Sequence, residues 1–228
     1  MVLTVFLWSE NDVKMPRSGT LKKWYRMVDG AKFSTQYEFP ILQKSIYTTQ
    51  QAIPFEKGLR SRNKNQWIHF YTHDRNFECL WRTPERYLSA LQSFQGVITP
   101  DYSLYREMPL AMQIWNTYRN RAIAFWMQKN NIPIIPNIRW SDERTYSFAF
   151  EGIPRNSVVA VSTCGCIRKP LDRLYFKKGL LEMLAVLQPS AIVAYSSAPK
   201  AIFDEVQTCE IPVFLIENYQ KTVRKAAI

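Results

Sequence analysis

The chain has 228 residues, of which 46% are hydrophobic and 14% aromatic. This length and composition exclude a disordered polypeptide and predict a protein with a sizeable buried core. With 30 Lys and Arg against 19 Asp and Glu, the net charge is +11. That charge favours a polyanionic partner such as DNA or RNA, although a solvated basic surface explains it equally well.

Cysteine usage and the first residues indicate the compartment. The apolar start MVLTVFLW lacks the basic region and small-residue cleavage site of a signal peptide, and the four cysteines are scattered except for Cys164 and Cys166. No apolar run reaches the roughly 18 to 20 residues that span a bilayer. We therefore expect a cytoplasmic protein with free thiols and no membrane partner.

Residues 1–65 show little periodicity and are predicted to form an irregular basic segment before a core domain at 66–228. Aromatic side chains interleave with its charges. Such a mixture is either a nucleic-acid surface, with cations on phosphates and rings on bases, or an irregular subdomain whose aromatics are core. The candidate nucleic-acid-binding residues are Lys22, Lys23, Arg26, Lys57, Arg60, Arg62 and Lys64.

From residue 66 onward, short β-branched or aromatic runs alternate with amphipathic segments of helical length. The first predicted strand is 66–71, and a helix follows with Thr83 as its N-cap and Pro84 in its first turn. A short strand at 97–99 precedes a long helix at 109–128.

The second half of the chain continues the alternation. A predicted strand at 132–138 contains two prolines, which favour an edge position or an early end. Ser141 is the predicted N-cap of a turn, and 148–154 is a short strand or an extended connection. The remaining elements are strands at 158–163, 191–195 and 213–216 and helices at 172–187 and 200–206.

This order of elements predicts an α/β fold with a mostly parallel sheet and crossover helices. An open three-layer sheet and an incomplete TIM-like barrel both fit it. In either architecture a ligand binds at the carboxyl ends of the strands.

Acidic residues at two predicted strand ends are the candidates for catalysis. Asp101 could act as base, nucleophile or metal ligand, or it could simply cap the next helix. Asp142, with Glu143 beside it, would form a second carboxylate if the two strands are neighbours. A pair of carboxylates is the minimum for an acid/base pair or a magnesium site. No cofactor is predicted, because the sequence has no nucleotide-binding glycine motif and no metal-ligand spacing.

A polar stripe interrupts the long helix. Gln113, Asn116 and Asn120 are spaced i, i+3 and i+7, so they share one face. That face is either solvated or turned towards the strand ends, where amides suit base edges and the guanidinium groups of Arg119 and Arg121 suit phosphates.

Two segments carry a resemblance to a known family: TPDYSLYREMPLAMQIWNTYRNR at 99–121 and IPNIRWSDERTYSFAFEGIPRNSVVAVSTCGC at 135–166. Over roughly residues 52–196 the chain resembles the uncharacterised family catalogued as domain of unknown function 4417. The family is common in phages, prophages and conjugative or plasmid elements of bacteria, so the resemblance implies a mobile genetic element in a bacterial host cell but no particular reaction. The substrate-binding candidates are Ser103, Tyr105, Gln113, Asn116, Arg119, Arg121, Trp140, Ser162 and Gly165.

Three functions remain open at this point. The first is a protein that acts on or beside nucleic acid through a basic surface and a strand-end cleft. The second is an enzyme of hydrolase or glycosyl-transfer type that uses Asp101 with Asp142 or Glu143. The third is a module that binds a host protein through its aromatic-rich exterior. The sequence leaves open whether the protein is an enzyme, and its oligomeric state.

Overall fold

The computed structural model describes residues 25–226. Seven β-strands and eight α-helices alternate through most of this range, and three short 3-10 turns connect some of them. The strands are β1 (Ala52–Pro54), β2 (Trp67–His69), β3 (Gly96–Ile98), β4 (Ile134–Ile135), β5 (Val158–Ser162), β6 (Ala191–Ser196) and β7 (Val213–Glu217). The helices are α1 (Phe55–Gly58), α2 (Glu78–Arg82), α3 (Leu88–Gln92), α4 (Leu110–Lys129), α5 (Tyr146–Ala149), α6 (Pro170–Leu187), α7 (Lys200–Thr208) and α8 (Tyr219–Ala226).

All strand pairings within the sheets are parallel. One sheet has the order β1-β2-β3-β4, and the other has the order β5-β6-β7. A single parallel bridge between Asn137 and Ala160 links β5 to the residues just after β4. The predicted α/β class with parallel strands and crossover helices is thus confirmed. Within the described residues no pairing joins β7 to β1, so the strands do not form a closed barrel.

The strand order follows the chain without a reversal, as in successive strands of a barrel and unlike a doubly wound sheet. One apolar cluster lies between the strands and the helices, and a second lies between the two sheets. The inter-sheet cluster contains Trp67, Ile98, Ile135, Val158, Ala160, Ala191, Val193, Tyr195 and Ile216. The second cluster fixes how the two sheets face each other.

The strand expected at 132–138 is regular only at Ile134–Ile135 and is the last strand in the order of its sheet, as its two prolines predicted, because proline lacks the N–H that a ladder requires. Two other local expectations were wrong. The segment 148–154 is not a strand: it is the end of α5 followed by a turn at Gly152 with φ +78°. Asp142, not Ser141, caps the 3-10 turn at Glu143–Thr145, since its carboxylate accepts the N–H of Arg144.

The predicted boundary between residues 65 and 66 runs through one sheet, because β1 pairs with β2. Upstream of β1 the described residues contain an antiparallel bridge between Phe33 and Pro40. The aromatic side chain of Phe39 is buried there. The division into two domains stays a prediction.

None of the helices that the structure describes is both long enough and apolar enough to cross a membrane.

Candidate functional site

The space between the two sheets changes from apolar to polar towards the carboxyl ends of the strands. Trp67 on β2 lies in the apolar inter-sheet cluster. His69 at the end of β2 and Tyr71 just after it contact the ring of Tyr195 from the other sheet, at 4.6 and 4.5 Å between centroids. The same change follows β4, where Ile135 gives way to Asn137. The strand ends therefore meet in a layer of polar side chains.

Asp101 lies in this polar layer. Its Oδ1 accepts a hydrogen bond from Asn137 Nδ2 at 2.9 Å, and its Oδ2 lies 3.5 Å from Arg139 Nη1. Asn137 in turn accepts a 3.0 Å hydrogen bond from the hydroxyl of Tyr71. Three consecutive strands of one sheet thus contribute to a single network around one carboxylate.

Burial sets the charge balance of this network. It raises the pKa of Asp101 above its usual value, and Arg139 and Asn137 offset part of that shift. Burial also raises the pKa of Tyr71, and the carboxylate of Asp101 adds to the effect. For Arg139 burial is the largest cause and lowers the pKa, but Asp101 together with Cys166 and Tyr105 outweighs it, so the net pKa is raised. Tyr71 is therefore a protonated donor and Arg139 a permanent cation.

An open cavity of about 260 Å³ lies above this network. Its walls come from residues 104–107 after β3, 138–141 after β4, the first turns of α6 and four residues of the connection after β5, namely Ser162, Gly165, Cys166 and Lys169. Arg139 lines it, whereas Asp101 lies behind Arg139 and is not part of the wall. We call this cavity the strand-end cleft.

Four of the predicted substrate-binding residues line the strand-end cleft: Tyr105, Trp140, Ser162 and Gly165. Tyr105 is 56% exposed, whereas the Trp140 ring is buried against Phe176 at 5.2 Å between centroids. The backbone of α6 at Gly179 approaches Trp140 so closely that an added Cβ would lie 2.2 Å from the indole nitrogen. Trp140 is thus a wall of the cleft that packing holds in place.

The polar stripe of α4 is buried, so the expectation of a solvated face was wrong. Gln113 Nε2 donates to the Met108 carbonyl at 3.0 Å, and Gln113 Oε1 accepts from Ser141 Oγ at 2.7 Å. Asn116 Nδ2 donates to the Ser103 carbonyl at 2.7 Å. These amides donate hydrogen bonds to backbone carbonyls of the 99–108 connection, part of which lines the cleft.

The remaining candidates on and near α4 also have protein partners. Ser103 donates from its backbone N–H and its hydroxyl to Asp74. The Arg119 guanidinium lies over the Tyr102 ring at 3.8 Å and pairs with Glu78 at 2.8 Å. Arg121 is 1% exposed.

Arg121 holds the segment after α5. Its Nε donates to the Glu151 carbonyl at 3.0 Å and its Nη2 to the Ala149 carbonyl at 2.6 Å. Burial lowers the pKa of Arg121 to about 9, which still leaves it charged at neutral pH. A role for Arg119 or Arg121 in substrate binding stays a prediction.

The second acidic cluster makes local ion pairs. Asp142 pairs with Arg144 at 2.8 Å, and these hydrogen bonds lower the pKa of Asp142. Glu143 pairs with Lys178 at 3.0 Å. Neither residue lines the strand-end cleft, and a catalytic pairing of either one with Asp101 stays a prediction.

Within residues 25–226, no group of three or more His, Cys, Asp or Glu side chains is arranged to hold a metal ion.

The candidate nucleic-acid-binding residues lie away from the cleft. Arg62 and Lys64 belong to the tight loop that enters the amino end of β2, where the Gln66 side chain donates to Ser61 and to the Asn63 carbonyl. Arg60 and Lys57 precede this loop and are exposed. Arg26 instead pairs with Glu85. Lys22 and Lys23 lie outside the described residues.

Sequence reasoning missed Arg139 and Asn137, which link Asp101 to the cleft. A usable signal was present in the run Ile135 to Trp140, where Asn137 and Arg139 alternate with apolar residues. Alternation of that kind turns every second side chain to the same side of an extended segment. The two prolines in the same run predict only where the strand lies and ends, not which side chains reach the cleft.

The network around Asp101 lies within a segment that matches a family model over residues 31–215, described as Domain of unknown function (DUF4417). The chain belongs to this family. It is 34% identical over 166 residues to the Gene 1 protein of Mycobacterium phage L5, which covers 71% of this chain and 72% of the phage protein. The Gene 1 protein of Mycobacterium phage D29 is also 34% identical over 166 residues, covering 71% of this chain and 61% of that protein.

These matches confirm the resemblance that the two sequence segments predicted, and they extend it at both ends. The family to which this chain belongs, DUF4417, is therefore associated with phages. No solved structure matches the chain.

Proposed function

We propose that the protein binds nucleic acid through a basic surface at the amino ends of its strands. This surface, which we call the amino-end face, comprises Lys44, Tyr47, Arg60, Arg62, Lys64 and Arg155. The observation that carries the proposal is that its cations have no acidic partners: none of the ion pairs within residues 25–226 includes them.

Contacts connect the members of the amino-end face. Ser45, next to Lys44, donates to the Ile134 carbonyl at the start of β4 and accepts the N–H of Val158 at the start of β5. The Tyr47 ring, 44% exposed, lies 5.9 Å from the Trp67 ring at the start of β2. Lys64 lies 4.2 Å from the centre of the Phe94 ring, just before β3.

The surroundings of these cations suit a phosphate backbone. The four residues before each of β2, β3, β4, β5 and β6 include no Asp or Glu but several Asn, Gln and Ser. Arg and Lys supply the charge for phosphate binding, and amides and hydroxyls supply further donors. An exposed ring such as Tyr47 can stack on a base when the strand is single.

A salt series tests this proposal. Binding to single-stranded DNA, duplex DNA and RNA would be measured by fluorescence anisotropy for the natural protein and for the triple variant Arg60→Met, Arg62→Met, Arg155→Met. Each lost phosphate contact should reduce the slope of log K against log salt by about 0.7 to 0.9. We expect the triple variant to lower the slope by about 2 and to weaken binding at low salt.

The matched control removes three exposed cations near the carboxyl ends, with Arg75→Met, Arg168→Met and Lys200→Met. This control should keep at least most of the binding that the first triple variant loses. Equal losses in the two triple variants would show that net charge alone acts, and equal binding of an acidic polypeptide would favour a protein partner; either result overturns the proposal.

A further inference from the structure

The strand-end cleft contains hydrogen-bond donors that the fold does not use. Arg139 Nη1 is buried and lies 3.5 Å from Asp101, longer than a hydrogen bond, and it has no hydrogen-bond partner among the described residues. A buried donor without a partner costs free energy. The Arg139 side chain as a whole is 20% exposed and lines the cleft, so its guanidinium is suited to a ligand there.

The connection after β5 adds donors to the same cavity. Gly165 has φ +78°, and an added Cβ there would meet nothing within 4 Å, so space is open above it. Within the described part of the chain, no hydrogen bond uses the N–H of Gly165, whereas the next N–H, that of Cys166, donates to the Thr163 carbonyl. A free backbone N–H at a left-handed residue is a donor of the kind that contributes to anion sites. Lys169, at the end of this connection, is exposed and lines the cleft.

The carboxylates around the cleft are partly neutralised. Asp172 pairs with Arg106 at 2.9 Å, and Asp101 lies behind Arg139. Glu107 also lines the cleft and is exposed to solvent. The donors that remain are a guanidinium, an ammonium and a backbone amide, a set suited to an oxyanion rather than to a metal ion.

Aromatic rings border the same cavity. Tyr105 is 56% exposed, and the Tyr175 ring lies 4.9 Å from the guanidinium of Arg106. A ligand anchored by an anionic group on Arg139 would place its organic part beside these rings. Rings of this kind contribute large contact areas at low entropic cost.

We propose that the strand-end cleft binds a phosphate monoester of a nucleoside, with the phosphate on Arg139 and Lys169 and the organic part beside Tyr105 and Tyr175. The site is separate from the amino-end face, and the proposal does not rest on nucleic-acid binding there. The phosphate can belong to a free mononucleotide or to the 5′ end of a strand.

Calorimetric titration with AMP, adenosine and inorganic phosphate tests the site. We expect AMP to bind and adenosine to bind at least about tenfold more weakly, because the phosphate supplies the charge-assisted hydrogen bonds. Lys169→Met should weaken AMP binding by about tenfold. Its matched control is Arg168→Met, a neighbouring exposed cation that does not line the cleft and should leave AMP binding unchanged.

Arg139→Lys keeps the charge but loses the planar fork, so it should also weaken AMP binding. The Lys169 and Arg168 variants keep the test decisive if the Arg139 variant does not fold. Equal binding of AMP and adenosine, equal effects of the Lys169 and Arg168 variants, or no AMP binding at about 1 mM would overturn the proposal.

A competition experiment identifies the source of the phosphate. A 5′-phosphorylated oligonucleotide that displaces AMP, where its 5′-hydroxyl counterpart does not, assigns the site to strand ends; failure of both assigns it to free nucleotides. AMP binding should be unchanged in the Arg60, Arg62 and Arg155 triple variant, which separates this site from the amino-end face.

Discussion

The two ends of the parallel strands treat charge differently. At the carboxyl ends, three arginines pair with carboxylates, Arg139 with Asp101, Arg106 with Asp172 and Arg144 with Asp142, whereas exposed cations there, such as Arg168, have no ion-pair partner among residues 25–226. At the amino ends, Arg60, Arg62 and Arg155 are exposed and none of the ion pairs of residues 25–226 includes them. The paired arginines stabilise the fold, whereas the exposed arginines of the amino-end face are available to a partner.

This difference also separates two meanings of a basic sequence. A net charge of +11 is a sum over the whole chain. It does not distinguish a cation such as Arg121, which is buried and bonded to backbone carbonyls, from one such as Arg62 in an exposed loop. Charge predicts a polyanion surface only where local acidic partners are missing.

The largest expected effect is the loss of the buried pair at the carboxyl ends. Asp101→Asn keeps an oxygen for Asn137 but leaves Arg139 without its counter-charge. Removing one partner of a buried ion pair costs about 3 kcal/mol or more of the free energy of unfolding. Denaturant unfolding would measure this cost. A change below about 1 kcal/mol would mean that Asp101 is not structural, and it would restore a catalytic reading for this residue.

A smaller effect is expected where packing positions the cleft. Gly179→Ala places a methyl group against the Trp140 indole, so we expect a loss of about 1 to 3 kcal/mol although alanine favours helices. Thermal unfolding would measure it. Gly165→Ala is the comparison, because its cost of about 1 kcal/mol should come from backbone strain alone, with no contact within 4 Å. A neutral Gly179→Ala would contradict the close approach.

His69 should make stability depend on pH. Burial lowers the pKa of His69 to about 3, whereas the pKa of an unfolded histidine is near 6.5. The unfolded state therefore binds an extra proton between these values, and the free energy of unfolding should fall by about 1.4 kcal/mol for each pH unit below about 6.5.

Above that range the contribution of His69 is fully present. Unfolding measured from pH 7 to pH 5 should show this slope, and His69→Asn should reduce it. The exposed His73 provides the control, since His73→Asn should leave the slope unchanged. Identical slopes in the two variants would refute burial of the imidazole as the cause.

The smallest expected effect on stability concerns the amino-end face. The triple variant Arg60→Met, Arg62→Met, Arg155→Met should change the free energy of unfolding by less than about 0.5 kcal/mol per site, because these side chains are exposed and lack ion-pair partners among residues 25–226. Chemical denaturation checks it. A larger loss would remove the contrast between the two ends.

Periodicity in the sequence was sufficient for the regular elements. The strand β5 is a continuous apolar run, and the structure places it and the long helices α4 and α6 close to the expected ranges. The stripe on α4 was harder, because Gln113 and Asn116 look alike whether they face water or an irregular backbone. Their partners lie in the 99–108 connection, which has no periodicity of its own.

The candidate site was predictable in location but not in composition. Strand ends were the expected place, and Tyr105, Trp140, Ser162 and Gly165 do line the cleft there. Which residues meet across the sheets depends on strand register, and a sequence does not specify register between strands that are far apart in the chain. The position of Arg139 beside Asp101 could therefore not be predicted from the sequence.

The single bridge between Asn137 and Ala160 is the only parallel link between the two sheets among the described residues. It lies directly beneath the strand-end cleft, whose walls include Arg139 from one sheet and Ser162 from the other. A molecule that contacts both walls would hold the two sheets together at this bridge. The N–H groups of Ile138 and Ala160 donate across this bridge, so slowed amide hydrogen exchange at these two residues would then report binding in the cleft, even if no residue moved.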